Sequence, residues 1–204
     1  MLEESEMTTR RFSFQSLVLL FVFVVCLYSC AGKSGSSKFY VLSSLPQSKV
    51  SGAEGTAIGV FPAAMPEYLD RPQIVTRVSP NEIQIEEFNR WAEPLKTNFH
   101  NVLTENLSVL LGTVKVVKMP QIEIIPDCQV LVEVVRFDGN LGGDVVLTAR
   151  WRLLDGAGKK VLVAKKSSFS EPTGATTYEA LVAAQSRAAA ALSREIAETI
   201  RTRK

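Results

Sequence analysis

Three features of the chain predict an α/β fold, a mixed β-sheet of about six strands with two main helices packed on it. Alternating and β-branched stretches recur between residues 39 and 169. Two longer segments, around residues 95–110 and 178–200, repeat their apolar residues at helical spacing. Asp155-Gly156-Ala157-Gly158 forms a turn signal between the last two strand-like runs, so a C-terminal β-hairpin precedes a long C-terminal helix. Each helix has one apolar stripe and must bury it on the sheet.

In chain order, Phe39-Tyr40-Val41-Leu42 reads as the first strand and residues 46–54 as a loop. Thr56 to Phe61 is a second strand, ended by Pro62. Pro62, Pro66 and Pro72 then make a stiff extended segment that excludes a continuous helix. Gln73 to Val78 alternates, Ser79-Pro80-Asn81 turns, and Glu82 to Glu86 alternates with Ile83 and Ile85 on one side. Pro94 suits a first helical position, and Leu95, Phe99, Val102, Leu103, Leu107 and Leu110 form the stripe of the first helix. Gly112 supplies its stop. His100 and Asn101 are off that stripe.

Val114 to Val117 is a short strand closed by Pro120. Gln129 to Phe137 carries Val130, Val132 and Val134 on one side. Along Val145 to Leu154, Leu147, Ala149, Trp151 and Leu153 take one face, and Thr148, Arg150 and Arg152 the other. Lys160 to Phe169 is the hairpin partner. Tyr178 to Ile200 is the final helix, capped by Thr176 or Thr177, with Glu179 within capping-box reach of Thr176. No internal repeat is present.

The N-terminus carries a different signal. Arg10 and Arg11 precede an apolar run from Leu17 to Leu27, and Leu27-Tyr28-Ser29-Cys30 closes it. A basic start, a short apolar core and small residues make a secretory signal. The uninterrupted apolar run is about half the roughly 20 residues that span a bilayer, which disfavours the alternative of a retained transmembrane helix. The closing tetrapeptide resembles the lipobox of bacterial lipoproteins, cut just before its cysteine. That resemblance implies residues 1–29 as signal peptide, Cys30 as the lipidated first residue of the mature protein, residues 30–38 as a Gly/Ser-rich tether and 39–204 as the folded domain.

Composition narrows the function. Lys+Arg is 23 and Asp+Glu is 21, with no basic block, so nucleic acid is not the expected partner. Of the cysteines Cys26, Cys30 and Cys128, only Cys128 remains as a free thiol after processing, and a lone cysteine is expected to be buried and inert. An enzyme is not expected. There is one histidine, His100, and neither a Gly-x-Ser-x-Gly elbow nor a second histidine for a triad or metal site. No cofactor or metal is called for.

Two segments give the chain its family likeness. One is Tyr68-Leu69-Asp70-Arg71-Pro72, continuing to Arg77; the other is Arg90-Trp91-Ala92-Glu93-Pro94. With Ile58-Gly59-Val60 before them and Leu103-Thr104-Glu105-Asn106-Leu107 after, this succession resembles the auxiliary lipoproteins of ABC-type and MCE-linked lipid transporters, the paraquat-inducible protein C family. The resemblance implies a non-enzymatic α/β domain lipid-anchored on the periplasmic face of the outer membrane. Ala31, where a retention signal would place aspartate, points the same way. Implied partners are an MCE-domain periplasmic protein, an inner-membrane permease and an ATPase. Self-association into a homo-oligomer is a further implication. A direct lipid carrier and a structural envelope lipoprotein stay open beside this reading.

Candidate partner-binding residues are Tyr68, Asp70, Arg71 and Arg77 on the proline-stiffened segment, with Arg90 and Trp91. Tyrosine and arginine are common interface anchors, and a stiff segment loses little entropy on docking. The competing reading packs Tyr68 and Leu69 in the core and pairs Asp70 with Arg71. Trp91 is expected to fill the gap between helix and sheet.

Overall fold

The computed structural model describes residues 35–46, 55–120 and 124–203. Cys30, the signal segment and most of the tether lie outside the described residues. Among the described residues eight strands form two sheets, where the sequence predicted about six strands in one. Both sheets are mixed.

The smaller sheet joins β1 (Lys38–Tyr40), β3 (Gln73–Ser79) and β4 (Glu82–Trp91) in the order β1-β4-β3. β1 runs parallel to β4, and β3 pairs antiparallel with it. β4 runs on to Trp91, past the expected end at Glu86. An irregular register between Val75↔Ile85 and Gln73↔Arg90 interrupts the alternation there and hides the strand from a period-two reading. Glu86 and Glu87 therefore lie within the strand, away from its end.

The larger sheet has the order β5-β2-β6-β7-β8, built from β2 (Ile58–Val60), β5 (Val116–Lys118), β6 (Cys128–Gly139), β7 (Asp144–Asp155) and β8 (Val161–Pro172). β2 runs parallel to both β5 and β6, and β6-β7-β8 is an antiparallel meander closed by the expected hairpin. One face of the meander is apolar. Val130, Val132 and Val134 pair with Leu153, Trp151 and Ala149, all buried.

A bulge between Val134 and Arg136 then reverses the alternation. It keeps Phe137 in the core, opposite Leu147, and gives Asp138 a place that unbroken alternation would not.

Two helices cover the apolar face. In α1 (Leu95–Leu111), Gly112 adopts φ 65° as the left-handed C-cap, the conformation in which glycine has no Cβ penalty. Pro94 is the N-cap of α1, one position before the expected place. In α2 (Tyr178–Arg201), Thr177 is the N-cap and accepts from the Ala180 amide, so the Thr176–Glu179 capping box does not form.

The ring of Phe99 meets that of Phe137 edge-on at 5.5 Å. His100 is buried, contrary to its off-stripe position, because its Nε2 donates to the Val60 carbonyl at 2.8 Å and ties α1 to β2. No helix among the described residues is long and apolar enough to cross a membrane.

Candidate docking site

The proline-stiffened segment enters the fold through one 3₁₀ turn, Glu67–Leu69, and leads into β3. Leu69 drops into the core, while Tyr68 turns toward the bulged end of β6. There the Asp138 carboxylate, fully buried, collects four donors. Tyr68 donates its hydroxyl at 2.7 Å, Arg77 donates from Nε and Nη2 at 2.8 Å each, and Arg136 donates from Nε at 2.8 Å. The Arg77 guanidinium also lies 5.9 Å from the Tyr68 ring centroid and donates to the Pro80 carbonyl.

The electrostatics follow from this crowding. Burial pushes the Asp138 carboxyl up, but the hydrogen bonds from Arg77, Tyr68 and Arg136 outweigh it and hold it below the ordinary carboxylate value. Burial first, then Asp138, pushes the Tyr68 hydroxyl to about 12. The carboxylate raises Arg77, which stays charged throughout. Tyr68 and Arg77 are thus saturated by Asp138 and tie the small sheet to β6. Sequence reasoning missed Asp138 because it looks like a turn residue beside Gly139 and Asn140.

The other predicted residues meet elsewhere. Asp70, Arg71 and Pro72 line one side of a cleft of about 270 Å³, and Trp91, Ala92, Glu93 and Pro94 line the other. A backbone hydrogen bond from Trp91 N to the Pro72 carbonyl, 2.7 Å, clasps the two segments. The two motifs that gave the family likeness, far apart in sequence, therefore build a single recess.

Trp91 is only 5% exposed and belongs to the buried core. Arg90 lies beside the recess, held by Glu87 through its side chain at 3.0 Å and through the Glu87 carbonyl. Asp70 is exposed, and no ion pair joins it to Arg71 among the described residues. The Nε of Arg71 is buried without a hydrogen-bond partner among them. A guanidinium with spare donors next to an aromatic wall suits a carboxylate-bearing or carbonyl-rich partner segment.

A second recess, a groove of about 680 Å³, opens on the larger sheet between Phe61, Pro62, Leu131 and Ala164, with Arg150, Arg152 and Lys166 around it. No group of three side chains able to hold a metal ion occurs among the described residues.

Fold and site together define a mixed α/β domain with a recess built from two sequence motifs. The chain belongs to the family described as the ABC-type transport auxiliary lipoprotein component, which matches residues 40–197. Among solved structures it is similar to an uncharacterized protein, with 26% identity, a TM-score of 0.68 and coverage of 81% of this chain and 99% of that one. It also shares its fold with XCC0632 from Xanthomonas campestris, at 16% identity, a TM-score of 0.66 and coverage of 82% and 100%. A search of curated proteins found no match.

Proposed function

We propose that this chain is a non-enzymatic lipoprotein, acylated at Cys30 and held on the periplasmic face of the outer membrane. There it docks the periplasmic MCE-domain conduit of an ABC-type lipid transport system. The ATPase across the periplasm supplies the energy, so this domain needs no nucleotide site. The observation that carries the reading is the convergence of residues 70–72 and 91–94 on one cleft, with an arginine donor unspent there. Membership of a transport auxiliary family supports it.

The test is capture of the MCE partner by Asp70→Ala/Arg71→Ala, two residues outside the Asp138 cluster, so the variant is expected to fold. Capture should fall by roughly tenfold or more, the scale of one interface hot spot. Undiminished capture by a folded double variant would sink the docking role.

The groove on the larger sheet favours a second reading, direct carriage of an anionic lipid. Its size falls within the range of small-molecule pockets, and it combines apolar walls with cationic groups. Lipid co-purifying with the wild type and lost from Arg152→Glu/Lys166→Glu would select that reading.

A further inference from the structure

The small sheet exposes three large apolar side chains on and beside the strand that follows the tether in sequence. Phe39 is 64% exposed, Val41 51% and Phe88 43%. β1 lies parallel to β4 with Phe39 opposite Arg90, so those two side chains point to the same side of the sheet. Val41 follows Phe39 by two residues, and Phe88 precedes Asn89, the partner of Lys38, so the three exposed side chains lie at one end of the small sheet. The opposite side carries Tyr40 and Trp91, which turn inward onto the core. Phe39 and Val41 border an open groove of about 560 Å³ with Val182, Ala183 and Ser186 of α2, and both stay more than half exposed there.

The charge around the face is close to balanced. Lys38 is exposed, and Arg90 is answered by Glu87. Any surface that takes this face is met by apolar contact rather than by net charge.

The sequence limits where that surface can be. Nine residue steps separate Cys30 from Phe39, and a chain rises at most about 3.3–3.6 Å per residue, so Phe39 lies within roughly 30 Å of Cys30 in any conformation. If Cys30 carries the acyl chains, this aromatic face is held next to the bilayer at high effective concentration. Contacts too weak to bind from solution are then sufficient. Aromatic side chains favour the membrane–water boundary, where the ring leaves water without losing a hydrogen bond.

We infer that Phe39, Val41 and Phe88 form a lipid-contacting face that seats the domain on the membrane surface. This fixes its orientation and rests on the anchor proposed above. The docking recess then keeps one orientation relative to the bilayer.

The experiment uses the mature lipidated protein in vesicles of phosphatidylethanolamine with a minor share of phosphatidylglycerol. A photoreactive benzoyl-phenylalanine replaces Phe39 or Phe88, and in parallel Val114 or Val161, two exposed apolar positions on other parts of the fold. Lipid adducts at positions 39 and 88 should exceed those at 114 and 161 by roughly tenfold, the contrast that a preferred orientation on the bilayer gives when all four positions share one tether, and should persist in high salt. Equal yields at all four positions, or adducts at 39 and 88 that are protein rather than lipid, would overturn the inference.

Intact mass of the same preparation separates the two claims. Acylated Cys30 without adducts at 39 and 88 removes the lipid face alone. Unacylated Cys30 with those adducts retained removes the anchor and leaves the face.

Discussion

Arg77 grips Asp138 through two parallel hydrogen bonds, Nε to Oδ1 and Nη2 to Oδ2, each 2.8 Å. The pair joins β3 of one sheet to β6 of the other, and Asp138 has no exposed side-chain surface. Removing the acid strands two guanidinium groups and a tyrosine hydroxyl. Asp138→Ala should destabilise the domain by about 3–5 kcal/mol, the usual penalty for breaking a buried pair on one side. Arg136→Ala should cost less, because that side chain is 36% exposed and water replaces its bond. Denaturant titration of the two variants checks the order. An Asp138→Ala loss below that of Arg136→Ala would refute it.

The same carboxylate sets the response to acid. Its folded-state value lies below its ordinary 3.8, so the unfolded chain binds the proton more readily in that window. The stabilisation is fully present above the unfolded value and is lost as pH falls through the folded one. The melting temperature should hold from pH 7 to about pH 5 and then fall. Asp155 is lowered too, first by the Lys160 backbone hydrogen bond, but it sits on a partly exposed hairpin turn where water screens its charge, and its share is small. Asp138→Asn should flatten most of the acid leg. An unchanged slope would show that other carboxylates carry it.

How far the sequence foretold this fold depends on how local each signal was. The stripe on α1, the left-handed stop at Gly112 and the hairpin at residues 155–158 are written within a few residues, and each was legible. The division into two sheets was not, because it depends on which strand edges meet, and β1 finds β4 across about fifty residues. The bulge after Val134 left no mark either, since Val134-Val135 looks like ordinary strand. Asp138 was hidden for that reason: its role exists only once the bulge swings it under Tyr68 and Arg77. The recess was half legible. Its two motifs were recognisable as words, but that residues 70–72 face residues 91–94 is a fact of pairing between β3 and β4.

Cys128 opens β6 with 6% exposure. Burial first, then the neighbouring Asp127, pushes its thiol up to about 11, so almost no thiolate exists at neutral pH. Native protein should resist maleimide at pH 7.5 and react fully once denaturant is added. Labelling of the native protein within minutes, followed by mass spectrometry, would contradict this burial.

Asn98 makes the attachment of β1 testable. Its Oδ1 accepts the Leu42 amide at 2.6 Å, and its Nδ2 donates to the Glu93 carboxylate at 2.7 Å, so one buried side chain on α1 holds both the end of β1 and the lip of the recess. Farther along, Asn106 holds the Leu45 amide in the same way. β1 has only three residues and one strand neighbour, so these side-chain clamps replace the backbone ladder it lacks. Asn98→Ala leaves the Leu42 amide buried without an acceptor, a loss of about 1–3 kcal/mol. The loss should be local. Amides of residues 39–45 should exchange with solvent roughly ten- to hundredfold faster, while those of β6 and β7 keep their protection, because that edge opens as its own small unit. Hydrogen exchange read by mass spectrometry distinguishes this from a general loosening. Faster exchange in β7 to the same degree would mean that Asn98 supports the whole core rather than the strand that follows the tether.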